Sequence, residues 1–224
     1  ERNASSLFGC DSFYSTEGSS LSIRAMLYLF RLWAGADCRI VAARNCHKAF
    51  LSAVALLDLN VEWIYPKDGS SYLSCEIDLS ELELLLAKSE KKTAVYITSP
   101  DYLGNIADVK GIAEVCSRFD VPLLVDNAHG AYLAFLEETM HPIALGAAMC
   151  ADSAHKTLPV LTGGAYLHVS NKAKRFCERA RGVLAMYAST SPSYLILQSL
   201  DLTNLYISNS YNINCVCIYC SYNL

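Results

Sequence analysis

No apolar run in this chain reaches the roughly 18 residues that a membrane-spanning helix needs. The strongest candidate, Leu21 to Ala36, is broken by Arg24 and Arg31 and reads as a buried helix. Charged residues make up only 18% of the chain, the net charge is −4, and the basic residues are scattered. No Lys/Arg stripe with interleaved aromatics appears, so neither a nucleic acid nor a membrane is expected as a partner. The first residues, Glu1-Arg2-Asn3-Ala4, lack the basic and apolar regions of a secretory signal. They include no initiating methionine and read as the middle of a helix, as in a piece of a longer protein.

Ten cysteines are present, and many stand singly, among them Cys38, Cys46, Cys116, Cys150 and Cys177 in apolar segments. A free cysteine in such a place behaves as a small hydrophobe. A reducing, cytoplasmic setting is therefore expected rather than a disulfide scaffold. Cys215-x-Cys217-x-x-Cys220 is clustered, yet a metal site wants a fourth ligand at defined spacing, and no histidine follows His168. No metal is expected.

What is present is an alternation of strand and helix patterns over 224 residues, without an internal repeat or interdomain linker. Helices are expected at Leu21–Trp33, His47–Leu57, Leu79–Lys88 (capped by Asp78 or Ser80), after Asp108, and at Lys172–Arg181. Strands are expected at Cys38–Ala42, Val61–Tyr65, Thr93–Thr98, Val121–Val125, Ala147–Cys150 and Ala165–Val169. Continuously apolar strands such as Val121–Val125 suit a parallel sheet covered on both faces. The expected fold is α/β, a three-layer sandwich with a mostly parallel central sheet and ligands beyond the carboxyl ends of the strands. Nothing after Asp201 is charged, and Asn, Tyr, Ser and Cys dominate there. That composition is expected to suit neither a helix nor a solvated tail. The domain is placed at 1–205, with 206–224 as an atypical tail foreign to it; a buried carboxy-terminal hairpin is the alternative.

Chemistry concentrates at the expected strand ends. Lys156, in Ser153-Ala154-His155-Lys156-Thr157-Leu158-Pro159, lies thirty residues after Asp126, which ends the apolar run Leu123-Leu124-Val125. Its small and hydroxyl neighbours place it as a buried lysine, whose pKa falls toward neutrality and which becomes a nucleophile. Lysine paired with a buried aspartate suits Schiff-base catalysis with pyridoxal 5'-phosphate, the aspartate holding the pyridinium nitrogen. Asp126 as a cap on the following helix is the ordinary alternative. Ser19 and Ser20 open a helix after Gly18 and suit a dianionic phosphate, although Gly/Ser helix caps are common. Ser153 and His155 would approach the phosphate from the other side. His47, in Arg44-Asn45-Cys46-His47-Lys48, is either a helix cap or an imidazole stacked on the cofactor ring. Thr98 would offer its hydroxyl to the cofactor's phenolic oxygen, and Ala128 is small enough to let the ring lie against the backbone.

These segments, together with Thr98-Ser99-Pro100-Asp101-Tyr102-Leu103-Gly104 and Asp126-Asn127-Ala128-His129-Gly130, resemble in order and spacing the major domain of bacterial ornithine/lysine/arginine decarboxylases. Those are pyridoxal-phosphate enzymes of the aspartate-aminotransferase fold, fold type I. The resemblance implies that Lys156 forms the Schiff base, Asp126 holds the ring nitrogen and His47 stacks on the ring. Ser19, Ser20, Ser153 and His155 would surround the phosphate, while Ala128 and His129 flank the ring. It implies decarboxylation of a basic amino acid in a homodimer or larger oligomer, with Ser189-Thr190-Ser191-Pro192 near the partner's site. The family's amino-terminal arm and carboxy-terminal domain have no counterpart here, so a chain truncated at both ends is expected. Gly163-Gly164 stands where the family commonly has a glutamine-containing segment. Transamination or elimination on the same scaffold, or a catalytically incompetent fragment, are the alternatives.

Overall fold

The computed structural model describes residues 1–66, 73–74 and 76–210. The Cys215–Cys220 cluster and most of the expected tail lie outside the described residues.

Strands β1 (Asp11–Ser15), β2 (Arg39–Ala43), β3 (Asn60–Ile64), β4 (Thr93–Thr98), β5 (Leu123–Asp126), β6 (Met149–Asp152) and β7 (Ala165–Val169) form one sheet. Their order across it is β1-β7-β6-β5-β4-β2-β3. The pairs from β6 through β3 are parallel, and β7 runs antiparallel to both β6 and β1. Ser15, Ala43, Thr98, Asp126 and Asp152 therefore all end at one edge of the sheet.

The helices are α1 (Arg2–Phe8), α2 (Ser19–Ala34), α3 (Lys48–Leu57), α4 (Leu79–Ala87), α5 (Val109–Arg118), α6 (Ala154–Thr157), α7 (Cys177–Tyr187) and α8 (Tyr194–Ser210), with 3₁₀ turns at Ala131–Phe135 and Asn171–Phe176. One face of the sheet is covered by α2, α3 and α7, whose Met26, Leu27, Phe30, Phe50 and Val183 meet Tyr96, Leu124 and Leu167. The opposite face is covered by α4 and α5, whose Leu82, Leu86, Ile112 and Val115 meet Val95, Ile97 and Val125. Each such side chain removed from water stabilises the fold by about 1.5–3 kcal/mol. The three layers follow from this alternation, as the sequence implied.

Local chemistry explains most boundaries. Asp78 accepts from the Ser80 and Glu81 amides and Asp108 from Gly111, so each caps its helix. β5 starts at Leu123 rather than Val121 because the Val121 amide closes α5 on Cys116 O (3.0 Å) and Pro122 has no N–H to give a ladder. β6 is shifted toward the carboxyl side of its expected position, because the buried polar Asp152 continues the strand. The basic segment expected to be one helix from Lys172 is a 3₁₀ turn that kinks at Ala173, and the α-helix begins only at Cys177.

The expectation that sequence past Asp201 suits no helix is corrected for its described part, since α8 runs through to Ser210. Its uncharged polar residues are partnered inward. Thr203 Oγ1 donates to Pro159 O at 2.7 Å, Asn204 Nδ2 donates to Tyr14 Oη at 2.9 Å, and Asn204 Oδ1 accepts from Tyr166 Oη at 2.9 Å. Among the described residues, no helix is long and apolar enough to cross a membrane. The described cysteines Cys10, Cys38, Cys46, Cys116, Cys150 and Cys177 are free thiols.

Candidate functional site

The carboxyl edge of the sheet gathers the residues singled out by the sequence. Lys156 lies on α6, the short helix after β6, and its Nζ is 3.1 Å from His129 Nε2 in the segment after β5. His129 in turn meets the edge of the Tyr102 ring at 5.8 Å, and Tyr102 lies 6.5 Å from the His47 ring. The expected burial of Lys156 is corrected: its side chain is open to solvent, because α6 is a single turn at the rim of the sheet rather than inside it. Partial desolvation still lowers its pKa, opposed by the charge of Asp126. Desolvation, and then the Lys156 charge, lower the pKa of both His47 and His129. The lowered pKa favours the uncharged imidazole of His129, which can accept from the lysine ammonium.

Asp126 is the buried acid of the site, 1% exposed at the end of β5. Its Oδ1 accepts from the Ala128 amide at 3.2 Å, and its Oδ2 accepts from Tyr96 Oη at 3.3 Å. Burial pushes it up to about 6, against the Ala128 amide, Lys156 and Tyr96, which favour the anion. The next helical turn begins only at Ala131, so Asp126 does not cap it. Its partners are long and neutral, and a cationic N–H would satisfy it better. A protonated pyridine nitrogen is such a donor. Tyr96, missed in the sequence, stacks on Phe50 at 4.1 Å and reaches Asp126 because β4 and β5 place Thr98 beside Asp126. Thr98 itself is 7% exposed, and its Oγ1 has no hydrogen-bond partner among the described residues.

The other expected residues have local roles as well. His47 is a true N-cap, its Nδ1 accepting from the Ala49 amide at 3.1 Å, with the half-buried ring facing the site. Ser19 and Ser20 begin α2, where the first amides of a long helix have no partner within the helix. The Gly18 amide donates to Gly163 O at 2.8 Å, and the adjoining Gly164 O accepts from His155 N and Nδ1, each at 3.1 Å. The glycine pair so joins the α2 start to the lysine turn. Gly163 has φ +100°, and a Cβ there would lie 2.7 Å from Thr16 O, so only glycine permits this approach. Ser153 Oγ is 3.3 Å from His155 Nδ1. Ser189, in the segment expected near a partner's site, donates its amide to Glu17 beside the α2 start at 2.6 Å. Ala128 is buried next to Asp126.

The family model described as Orn/Lys/Arg decarboxylase, major domain, matches residues 1–215, reaching past Leu205, the expected end of the family-like region. Uncharacterized protein YaaO of Bacillus subtilis (strain 168) is 31% identical over 209 residues, which is 92% of this chain and 43% of YaaO. An arginine decarboxylase of the same organism is 32% identical over 202 residues, 89% of this chain and 40% of that protein. The chain therefore spans less than half the length of these curated relatives. The lysine decarboxylase LdcF of Francisella novicida superposes with a TM-score of 0.75 at 22% identity, over 92% of this chain and 30% of that one. This likeness shows the fold alone, the fold type I architecture expected above. By its sequence match the chain belongs to the family of Orn/Lys/Arg decarboxylase major domains.

Proposed function

We propose that the chain binds pyridoxal 5'-phosphate and takes part in decarboxylation of a basic amino acid to its amine and carbon dioxide. The observation that carries this reading is the buried, cation-poor Asp126 set at the same sheet edge as Lys156. When bound, the cofactor would supply the electron sink that accepts the pair left behind by departing carbon dioxide.

The chain's own residues have distinct tasks. Lys156 would anchor the cofactor covalently, with neutral His129 holding its Nζ in place. Asp126 would keep the ring nitrogen protonated, and His47 would lie against the ring. Ser19 and Ser20 would hold the phosphate with the α2 amides, and Ser153 and His155 would close the turn beside it. Thr98 would donate its hydroxyl. A cleft of about 750 Å³ reaches Thr98 and carries Glu76, Asp78, Asp101 and Asp108, with no lysine or arginine among its described lining residues. An acidic wall suits a substrate with a cationic side chain. A cytoplasmic setting fits the free thiols, and a homodimer fits the family resemblance.

Product analysis with ornithine, lysine and arginine in the presence of the cofactor tests the reaction. Release of carbon dioxide and the matching amine is expected from at least one of them. A keto acid product, or no cofactor binding at all, would overturn the proposal.

A further inference from the structure

Across the sheet from the candidate site, on the face away from α2, lies a second polar group that the proposed chemistry does not use. Its centre is Asp152, fully buried with His168 beside it and His141 only 2% exposed. Asp152 Oδ2 accepts from His141 Nε2 at 3.0 Å, and His168 Nε2 lies 3.4 Å from the same oxygen, outside hydrogen-bond alignment. Asp152 Oδ1 accepts from Asn127 Nδ2 at 2.7 Å, with the Cys150 thiol at 3.6 Å. On its far side His168 Nδ1 meets Ser12 Oγ at 2.8 Å and Cys10 Sγ at 3.6 Å. The Phe8 ring lies 5.4 Å from His141 and 4.4 Å from His168, and Tyr166 lies 5.2 Å from His168.

We propose that Asp152 is a positioning residue, a buried brace that fixes the end of β5, which carries Asp126, and the end of β6, which leads into the Lys156 turn. The placement rests on the proposed cofactor reading; the brace itself rests on contacts alone. Asn127 directly follows Asp126 and is clamped to β6 twice, by its side chain on Asp152 and by its amide on Ala151 O at 3.0 Å. Asp152 directly precedes the Ser153–Lys156 turn, which the His155 amide ties to Gly164. One carboxylate thus holds both chain segments of the site from behind. Burial opposes its ionisation, but the two imidazoles outweigh burial and keep it well below the usual carboxylate range. Burial likewise opposes a charge on His168, which Cys10 and Asp152 overcome, raising it to about 9. A carboxylate stripped of water and held by several donors has little freedom to move.

His141, Cys150 and Asp152 also have the spacing of metal ligands. However, both carboxylate oxygens already accept N–H donors, and burial and Asp152 keep Cys150 a thiol. The group is held together by protons, without need of a cation.

Hydrogen exchange on the cofactor-free protein tests the brace directly. In Asp152→Ala the Asn127 and His155 amides should exchange at least about tenfold faster, while amides in the middle of β2 keep wild-type rates. Asp152→Asn, which retains an acceptor for Asn127, should restore most of the protection. Asn127→Ala removes only the arm to β5 and serves where Asp152→Ala does not fold. Pyridoxal phosphate titration of the same proteins should show about a tenfold weaker dissociation constant for Asp152→Ala, with Asp152→Asn near wild type. Unchanged exchange at Asn127 and His155, or equal acceleration in β2, would overturn the brace. So would a stoichiometric transition metal in the purified protein. Failure of the wild type to bind cofactor would instead remove the functional reading, while exchange still decides the brace.

Discussion

Asp126 carries the sharpest consequence at the scale of single residues. Its pKa in the folded chain lies above the ordinary value, so its contribution to stability is fully present below about pH 4 and is lost as pH rises through about 6. A rise from 3.8 to about 6 corresponds to on the order of 3 kcal/mol, at about 1.36 kcal/mol per pH unit. Urea unfolding of the cofactor-free protein should show stability falling by about that much between pH 4 and 7, relative to Asp126→Asn. Equal pH dependence of the two proteins would contradict the buried, uncompensated acid. The candidacy of Asp126 and Lys156 was legible in sequence, because an acid ending an apolar run and a lysine among small residues are both unusual. The exposure of Lys156 was not, since it depends on α6 ending after one turn. Tyr96 and Asp152 also escaped notice. A tyrosine inside an apolar strand looks like core, and the partners of Asp152 come from positions as far apart as Asn127, His141 and His168.

At the scale of elements, glycine positions separate strain from simple propensity. Gly163 joins the α2 start to the lysine turn at φ +100°, with Thr16 O where a Cβ would go. Gly163→Ala should cost about 1–3 kcal/mol in thermal unfolding and weaken cofactor binding by displacing the Gly18 contact. Gly182, by contrast, sits within α7 with nothing within 4 Å of a Cβ. Gly182→Ala should stabilise by about 0.5–1 kcal/mol and leave cofactor binding unchanged. Loss of stability at Gly182, or none at Gly163, would show that these environments are misassigned. The apolar strands Thr93–Thr98 and Ala165–Val169 and the caps Asp78 and Asp108 were legible because each signal is local. β1 was not, because Asp-Ser-Phe-Tyr-Ser alternates weakly and becomes a strand only by pairing with β7. α8 was hidden for a related reason: its uncharged polar residues find partners on Tyr14, Pro159 and Tyr166, far away in the chain.

For the molecule as a whole, α7 and α8 leave an apolar surface open. Met186, Tyr194 and Leu195 are 66%, 82% and 69% exposed. Leu202, Leu205 and Tyr206 of α8 are exposed as well, and apolar surface left open in this way suits contact with a partner. If the proposed homodimer uses it, Tyr194→Glu combined with Leu195→Glu should shift the mass measured by light scattering from dimer to monomer; a dimer that survives both changes would place the interface elsewhere. The layered α/β plan was legible because strand and helix patterns alternate along the whole chain. The site was legible only as separate segments, since their meeting at one sheet edge is a property of the strand order. The central claim is that this edge holds a covalently anchored cofactor. Borohydride reduction of the protein loaded with pyridoxal phosphate, followed by peptide mass mapping, tests it most directly. A stoichiometric adduct on Lys156, absent in Lys156→Ala, is expected; an adduct on another lysine, or none, would contradict the account.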